Sequence, residues 1–130
     1  MVIPCYNEEA VLPETSRQLK EKLEHMIQSG SIDAESRIVF VDDGSKDKTW
    51  SIIEQLHNTD EIFSGIKLSR NRGHQNALLA GLMSSVTRAD MMISMDADLQ
   101  DDVDAIEAMV EKYHEGNDIV YGVRSSRATD

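Results

Sequence analysis

Positive charge is scarce in this chain of 130 residues. Thirteen lysines and arginines stand against 24 aspartates and glutamates, a formal net charge of -11. Nucleic-acid binding relies on basic surface that neutralises phosphates, so nucleic acid is not an expected partner. That balance fits a protein that meets anionic ligands through a metal cation, or one that does not meet them at all. Cys5 is the only cysteine, which excludes an internal disulfide and a cysteine-based zinc site. A reducing compartment, the cytoplasm, is the expected location. No apolar run approaches the roughly 20 residues that span a bilayer, and no signal peptide is expected. Neither G-x-G-x-x-G nor G-x-x-x-x-G-K-[ST] occurs, so the dinucleotide fingerprint and the P-loop are both missing. No serine occupies a G-x-S-x-G elbow, which leaves Ser/His/Asp catalysis without support.

What is present is the composition of a soluble globular protein, 40% hydrophobic and 28% charged, long enough for a single domain. Its first strand-like run begins at residue 1, which suggests a piece of a longer chain. Short apolar runs predict strands at 2–4, 37–41, 62–69, 90–95 and 118–122. Amphipathic segments alternate with them. Leu12, Leu19, Leu23, Met26 and Ile27 share one helical face that Gly30 would end. Trp50, Ile53 and Leu56 mark a second helix, and Ala77, Leu78, Gly81 and Leu82 a third. Val103, Ile106, Met109, Val110 and Tyr113 mark a fourth, stopped at Gly116. Strand and helix in alternation predict an α/β fold, a Rossmann-like parallel sheet with helices on both faces. Ligands of such sheets bind beyond the carboxyl ends of the strands, where every polar cluster of this sequence falls.

The most crowded cluster is "MISMDADLQDD", residues 92–102, with four aspartates in seven positions. Asp96 and Asp98 are two apart at a strand end, so their side chains can share a face. With Gln100 they offer hard oxygen ligands suited to Mg²⁺ or Mn²⁺. Asp101 or Asp102 can instead serve as a helix N-cap, and both roles are compatible. In "VDDGS", Gly44 permits a tight turn and Ser45 or Asp47 can cap the following helix. Asp42 and Asp43 can accept hydrogen bonds from a base, or form an ordinary acidic turn. Arg70, Arg72, Arg124 and Arg127 lie at strand ends, where they can pair with phosphate oxygens or balance the aspartates. His74 falls near the start of the third helix, within reach of a ligand; His25, His57 and His114 fall late in helices. Cys5 is expected to pack at the end of the first strand rather than act as a nucleophile.

Taken in order, "VIPCYNEE", "VDDGSKDKT", "LSRNRGHQNALLAGL", "DADLQDD" and "YGVRSSR" resemble the inverting glycosyltransferases of family 2. More narrowly they resemble the polyisoprenyl-phosphate hexosyltransferases, whose relatives include dolichol-phosphate mannose synthase. The resemblance runs from residue 2 to about residue 127. It implies a GT-A fold that takes a nucleotide-diphosphate sugar and a divalent metal, and transfers a hexose to a polyisoprenyl phosphate with inversion. It implies that Pro4, Tyr6 and Glu8 line the nucleotide pocket and that Asp42 or Asp43 contacts the base. Asp96, Asp98 and Gln100 would hold the metal, with Asp96 also contacting the nucleotide. Arg70 and Arg124 would face phosphates or acceptor, with Asp98 and Arg124 the catalytic residues. "RNRGHQNALLAG" is similar to the branch that uses UDP-glucose-type donors, although Arg72 stands where an aromatic residue is usual. Family members continue into an acceptor-binding part and membrane-spanning helices. Residues 1–130 are therefore expected to be the nucleotide-sugar-binding part of a catalytic domain, at the cytoplasmic face of a membrane in the full-length protein. A nucleotide-binding module without turnover is the alternative. A receiver-like signalling domain fits less well, because its acid pair would follow the first strand, whereas the pairs here follow the second and fourth.

Overall fold

The computed structural model describes residues 1–99 and 103–123. Three short strands, β1 (Val2–Cys5), β2 (Ile38–Asp42) and β3 (Phe63–Lys67), pair in parallel in the order β1-β2-β3. The register sets Cys5 level with Asp42, and Asp42 level with Lys67. The segments that leave the three strands therefore start from one edge of the sheet. On the other side of β1, Val2 forms a single parallel bridge with Ser94. It donates its N–H to Ile93 O at 2.8 Å and accepts from Met95 N at 3.3 Å. The chain thus steps outward to β3 and returns across β1. That reversal is a topological switch point, where open α/β sheets hold their ligands.

Helices cover both faces. Residues α1 (Leu12–Gln28), α2 (Thr49–Thr59) and α4 (Ala105–His114) contribute Leu12, Leu19, Leu23, Met26, Ile53, Ile106 and Val110 to one core, around Ile3, Ile38 and Phe40. The opposite face is closed by α3 (His74–Ser85), whose Ala77 packs with Val2 and Val41. Gly81 makes that approach possible, because a Cβ there would collide with the Val2 and Val41 side chains. Strands buried on both faces need apolar residues at successive positions, which is why β1 reads VIPC and β2 reads IVFVD.

Two of the five predicted strands do not form ladders. The run 90–95 is reduced to the Ser94 bridge, and 118–122 has no strand partner among the described residues. Its apolar residues Ile119 and Tyr121, with the adjacent Val123, are 72%, 82% and 87% exposed. A strand needs a neighbour to satisfy its backbone, and the apolar pattern alone does not supply one. The N-cap position of α2 is Lys48, and Asp47 just before it accepts the N–H of Thr49, the first residue of the helix, at 2.9 Å. The N-cap position of α4 is Asp104, while the cap candidates Asp101 and Asp102 lie outside the described residues. Gly30 and Gly116 do follow α1 and α4 closely, with φ of 81° and 100°.

Candidate functional site

The loops after β1 and β2 are fastened to each other before they present anything to a ligand. Asn7 Oδ1 accepts Lys46 N–H at 2.9 Å, and Asn7 N–H donates to Ser45 Oγ at 2.9 Å. Glu8 N–H donates to Thr49 Oγ1 at 2.9 Å and Glu9 N–H to Asp47 Oδ2 at 3.2 Å, while Glu9 Oε2 accepts Lys48 N–H at 3.3 Å. Asp47 also accepts Thr49 N–H at 2.9 Å. Burial works against the charge of Asp47, and the Thr49 and Glu9 hydrogen bonds overcome it, holding its carboxyl below the usual carboxylate range. The polar letters of "YNEE" and "GSKDKT" are thus largely a clasp between two loops.

The two aspartates of "VDD" part company. Asp42 is fully buried; its Oδ1 accepts Ser45 N–H at 3.1 Å and its Oδ2 has no hydrogen-bond partner. Asp43 faces the other way, with Oδ1 accepting the backbone N–H of Arg72 at 2.7 Å. Gly44 lets these neighbours approach: its φ is 72°, and a Cβ there would fall on the backbone of Asn71 and Arg70. The turn after β2 and the loop after β3 therefore pack backbone against backbone.

Across β1 from Asp43 lies "DAD". Met95 and Ala97 are buried, while Asp96 and Asp98 are exposed, the period-two alternation expected of extended chain. Thr15 on α1, itself buried, donates to Ala97 O at 2.6 Å and so pins the residue between the two carboxylates. Leu99 follows at φ 50°, an uncommon conformation for a branched side chain, and its N–H reaches Asp96 O at 3.3 Å.

Between Asp43 and this pair is a cavity of about 450 Å³, within the size range of small-molecule sites. Pro4, Cys5, Tyr6, Glu8, Asp43, Asn71, Gly73, His74, Asp96, Ala97 and Asp98 line it. Six residues singled out from sequence for nucleotide or metal meet here: Pro4, Tyr6, Glu8, Asp43, Asp96 and Asp98. Asp42 and Arg70 do not reach the lining. Gln100, Arg124 and Arg127, with the cap candidates Asp101 and Asp102, lie outside the described residues. Asn71 and Gly73 were not expected. Their signal was the glycine after "RNR" just beyond a strand, which in the structure takes a φ of 93°.

The electrostatics are those of surplus negative charge. Burial raises the Glu8 carboxyl above its ordinary value, and Asp98, Asp47 and Asp96 raise it further. Burial, followed by Glu8 and Asp42, pushes the Cys5 thiol far above its ordinary range, so that lining residue is no nucleophile. Among the described residues no group of three or more His, Cys, Asp or Glu side chains is placed to hold a metal ion. Mg²⁺ is commonly held by one or two carboxylates plus substrate phosphates, the donor type that Asp96 and Asp98 offer. Among the described residues no helix is long and apolar enough to cross a membrane.

Comparison with known proteins gives this geometry its relatives. The family model described as glycosyl transferase family 2 matches residues 1–130. The chain is 52% identical over 130 residues to the uncharacterized glycosyltransferase YkoT of Bacillus subtilis (strain 168), covering 100% of this chain and 39% of that one. It is 38% identical over 133 residues to the bactoprenol glucosyl transferase of Shigella phage SfX, covering 100% and 40%. To the undecaprenyl-phosphate 4-deoxy-4-formamido-L-arabinose transferase of Shewanella sediminis (strain HAW-EB3) it is 41% identical over 129 residues, covering 98% and 36%. Among solved structures, S. aureus TarS 1–349 in complex with UDP superimposes with a TM-score of 0.56 at 21% identity, over 87% of this chain and 32% of TarS. That likeness carries the fold, which is GT-A. The chain spans about two-fifths of the length of the curated relatives it matches.

Proposed function

Because the chain belongs to glycosyl transferase family 2, we propose that it is the donor-binding part of an enzyme that transfers a hexose from a nucleotide-diphosphate sugar, a UDP-sugar in preference, to a polyisoprenyl phosphate. The observation that carries this is the gathering of Glu8, Asp43, Asp96 and Asp98 around one cavity at the carboxyl ends of parallel strands. The relatives named for bactoprenol and undecaprenyl phosphate support the acceptor class, and the UDP-bound TarS supports the donor nucleotide.

In this reading Asp43 accepts from the base with the oxygen that Arg72 leaves it, and Pro4 and Tyr6 form the wall beside the nucleoside. Asp96 and Asp98, with Gln100, would hold Mg²⁺ or Mn²⁺, Asp96 contacting the nucleotide as well. When bound, the metal supplies positive charge to the diphosphate that departs. The acceptor's phosphate oxygen forms a bond to the anomeric carbon as the bond from that carbon to the diphosphate oxygen breaks, with inversion. A phosphate is already anionic near neutral pH, so no strong general base is demanded of the chain. Arg124 and Arg70 would meet phosphate charge through guanidinium hydrogen bonds. The acceptor site and any membrane attachment belong to the rest of the full-length protein, working at the cytoplasmic face.

Calorimetric titration of the full-length protein with UDP and with GDP, each with and without Mn²⁺, tests the donor half of the proposal. Mn²⁺-dependent UDP binding that Asp98→Ala abolishes is expected; no binding of either nucleotide by folded protein would refute it. Transfer to a polyisoprenyl phosphate in vesicles separates the transferase from a nucleotide-binding module without turnover.

A further inference from the structure

His74 stands at the first position of α3, and its side chain crosses the cavity mouth to the "DAD" segment. Its Nε2 lies 3.2 Å from Asp96 Oδ1, a contact between residues 22 apart in sequence. A carboxylate has only acceptors, so the imidazole nitrogen carries the hydrogen and donates it. The pair contributes little to the core, since the two side chains are 60% and 55% exposed. Exposed pairs of this kind add little to stability, so a role at the site explains the contact better than a role in folding.

The placement of His74 is itself well determined. Asp43 Oδ1 holds Arg72 N–H at 2.7 Å, Asn71 Oδ1 accepts Gly73 N–H at 3.1 Å, and Asn76 Nδ2 donates to Arg72 O at 2.7 Å. The loop from Asn71 to His74 is therefore a strap with two fastenings. One is the buried acid after β2, the other the exposed acid after Ser94. From these contacts we infer that His74 is a positioning residue for Asp96: it occupies one carboxylate oxygen, fixes the plane of the group, and leaves the other oxygen for the metal–nucleotide complex. The inference rests on the proposed role of Asp96 at the donor diphosphate. Carboxylates that ligate metals are commonly oriented by such outer hydrogen bonds, whose loss costs affinity without removing a ligand.

The test is calorimetric titration of UDP, with and without Mn²⁺, into the full-length protein and its His74→Ala and His74→Gln variants, with melting temperatures alongside. His74→Ala is expected to weaken Mn²⁺-dependent UDP binding by about tenfold or more. UDP binding without metal and the melting temperature should stay at wild-type values. His74→Gln, which restores a donor near the same position, should recover most of the loss. Unchanged Mn²⁺-dependent binding in His74→Ala would overturn the inference while leaving the proposed function standing. So would an equal loss with and without metal, because that pattern marks a direct nucleotide contact or a damaged fold. Failure of the folded wild-type protein to bind either UDP or GDP with Mn²⁺ would overturn both readings together.

Discussion

Two pairs of aspartates flank β1, and they live in opposite physical worlds. Asp42 and Asp43 are 0% and 3% exposed and hold backbone N–H groups of Ser45 and Arg72. Asp96 and Asp98 are exposed and stand where charge accumulates, enough to raise the carboxyl of nearby Glu8. The first pair fixes loops; the second lines the cavity with exposed carboxylates. Adjacent acids in a sequence are therefore poor guides to function until burial is known. Asp43 bridges the two worlds, since it anchors the 71–74 loop and also lines the cavity.

The sharpest way to break this division is to disturb the turn beneath it. Gly44→Ala places a methyl against the backbone of Asn71 and Arg70 at a positive φ, and backbone cannot yield as a side-chain tip does. A loss of at least about 3 kcal/mol in chemical denaturation is expected. A loss below about 1 kcal/mol would mean that the two loops are not held as close as the structure has them. The next largest effect should appear as a crossed pattern. Asp42→Ala strips Ser45 N–H of its acceptor and should cost about 1–3 kcal/mol of stability. Asp98→Ala should change stability by no more than about 0.5 kcal/mol and remove Mn²⁺-dependent UDP binding. Equal stability losses in the two variants would dissolve the distinction between structural and ligand-facing acids.

Much of this arrangement could be read from the residues in order. The three paired strands and the four helices follow from apolar periodicity. The position of "DAD" beyond a strand-like run was enough to bring Asp96 and Asp98 to the sheet edge. What could not be read is long-range pairing. Thr15 to Ala97 O spans 82 residues, and the Asn7, Ser45 and Thr49 contacts join loops about 40 residues apart. None of these leaves a periodic trace. The run 118–122 fails for the same reason in reverse, because its pattern is sound and its partner is not among the described residues. Asp42 and Asp43 are chemically identical neighbours, and only the folded contacts show that Asp42 holds the Ser45 turn while Asp43 reaches Arg72 and the cavity.

The smallest expected effect is also the most specific to the charge argument. Glu8 has its carboxyl raised in the folded protein by burial and then by Asp98, Asp47 and Asp96. An acid whose folded pKa exceeds its unfolded value binds protons more tightly when folded. Its favourable contribution is then complete below the unfolded value and is lost as pH rises through the folded one. At neutral pH the ionised Glu8 is a burden, so Glu8→Gln should be the more stable protein there. The gain should fall in the range of about 0.2–1 kcal/mol typical of partly exposed charges, and should shrink as pH is lowered below the ordinary glutamate range. Mn²⁺ with UDP should abolish the advantage, because positive charge near Asp96 and Asp98 favours the ionised carboxylate. Denaturation of the two proteins across that pH range, with and without Mn²⁺ and UDP, reads both signs. An advantage of Glu8→Gln that is indifferent to pH and to Mn²⁺ would locate its origin in packing, and would remove Glu8 from the charge cluster that the exposed acid pair creates.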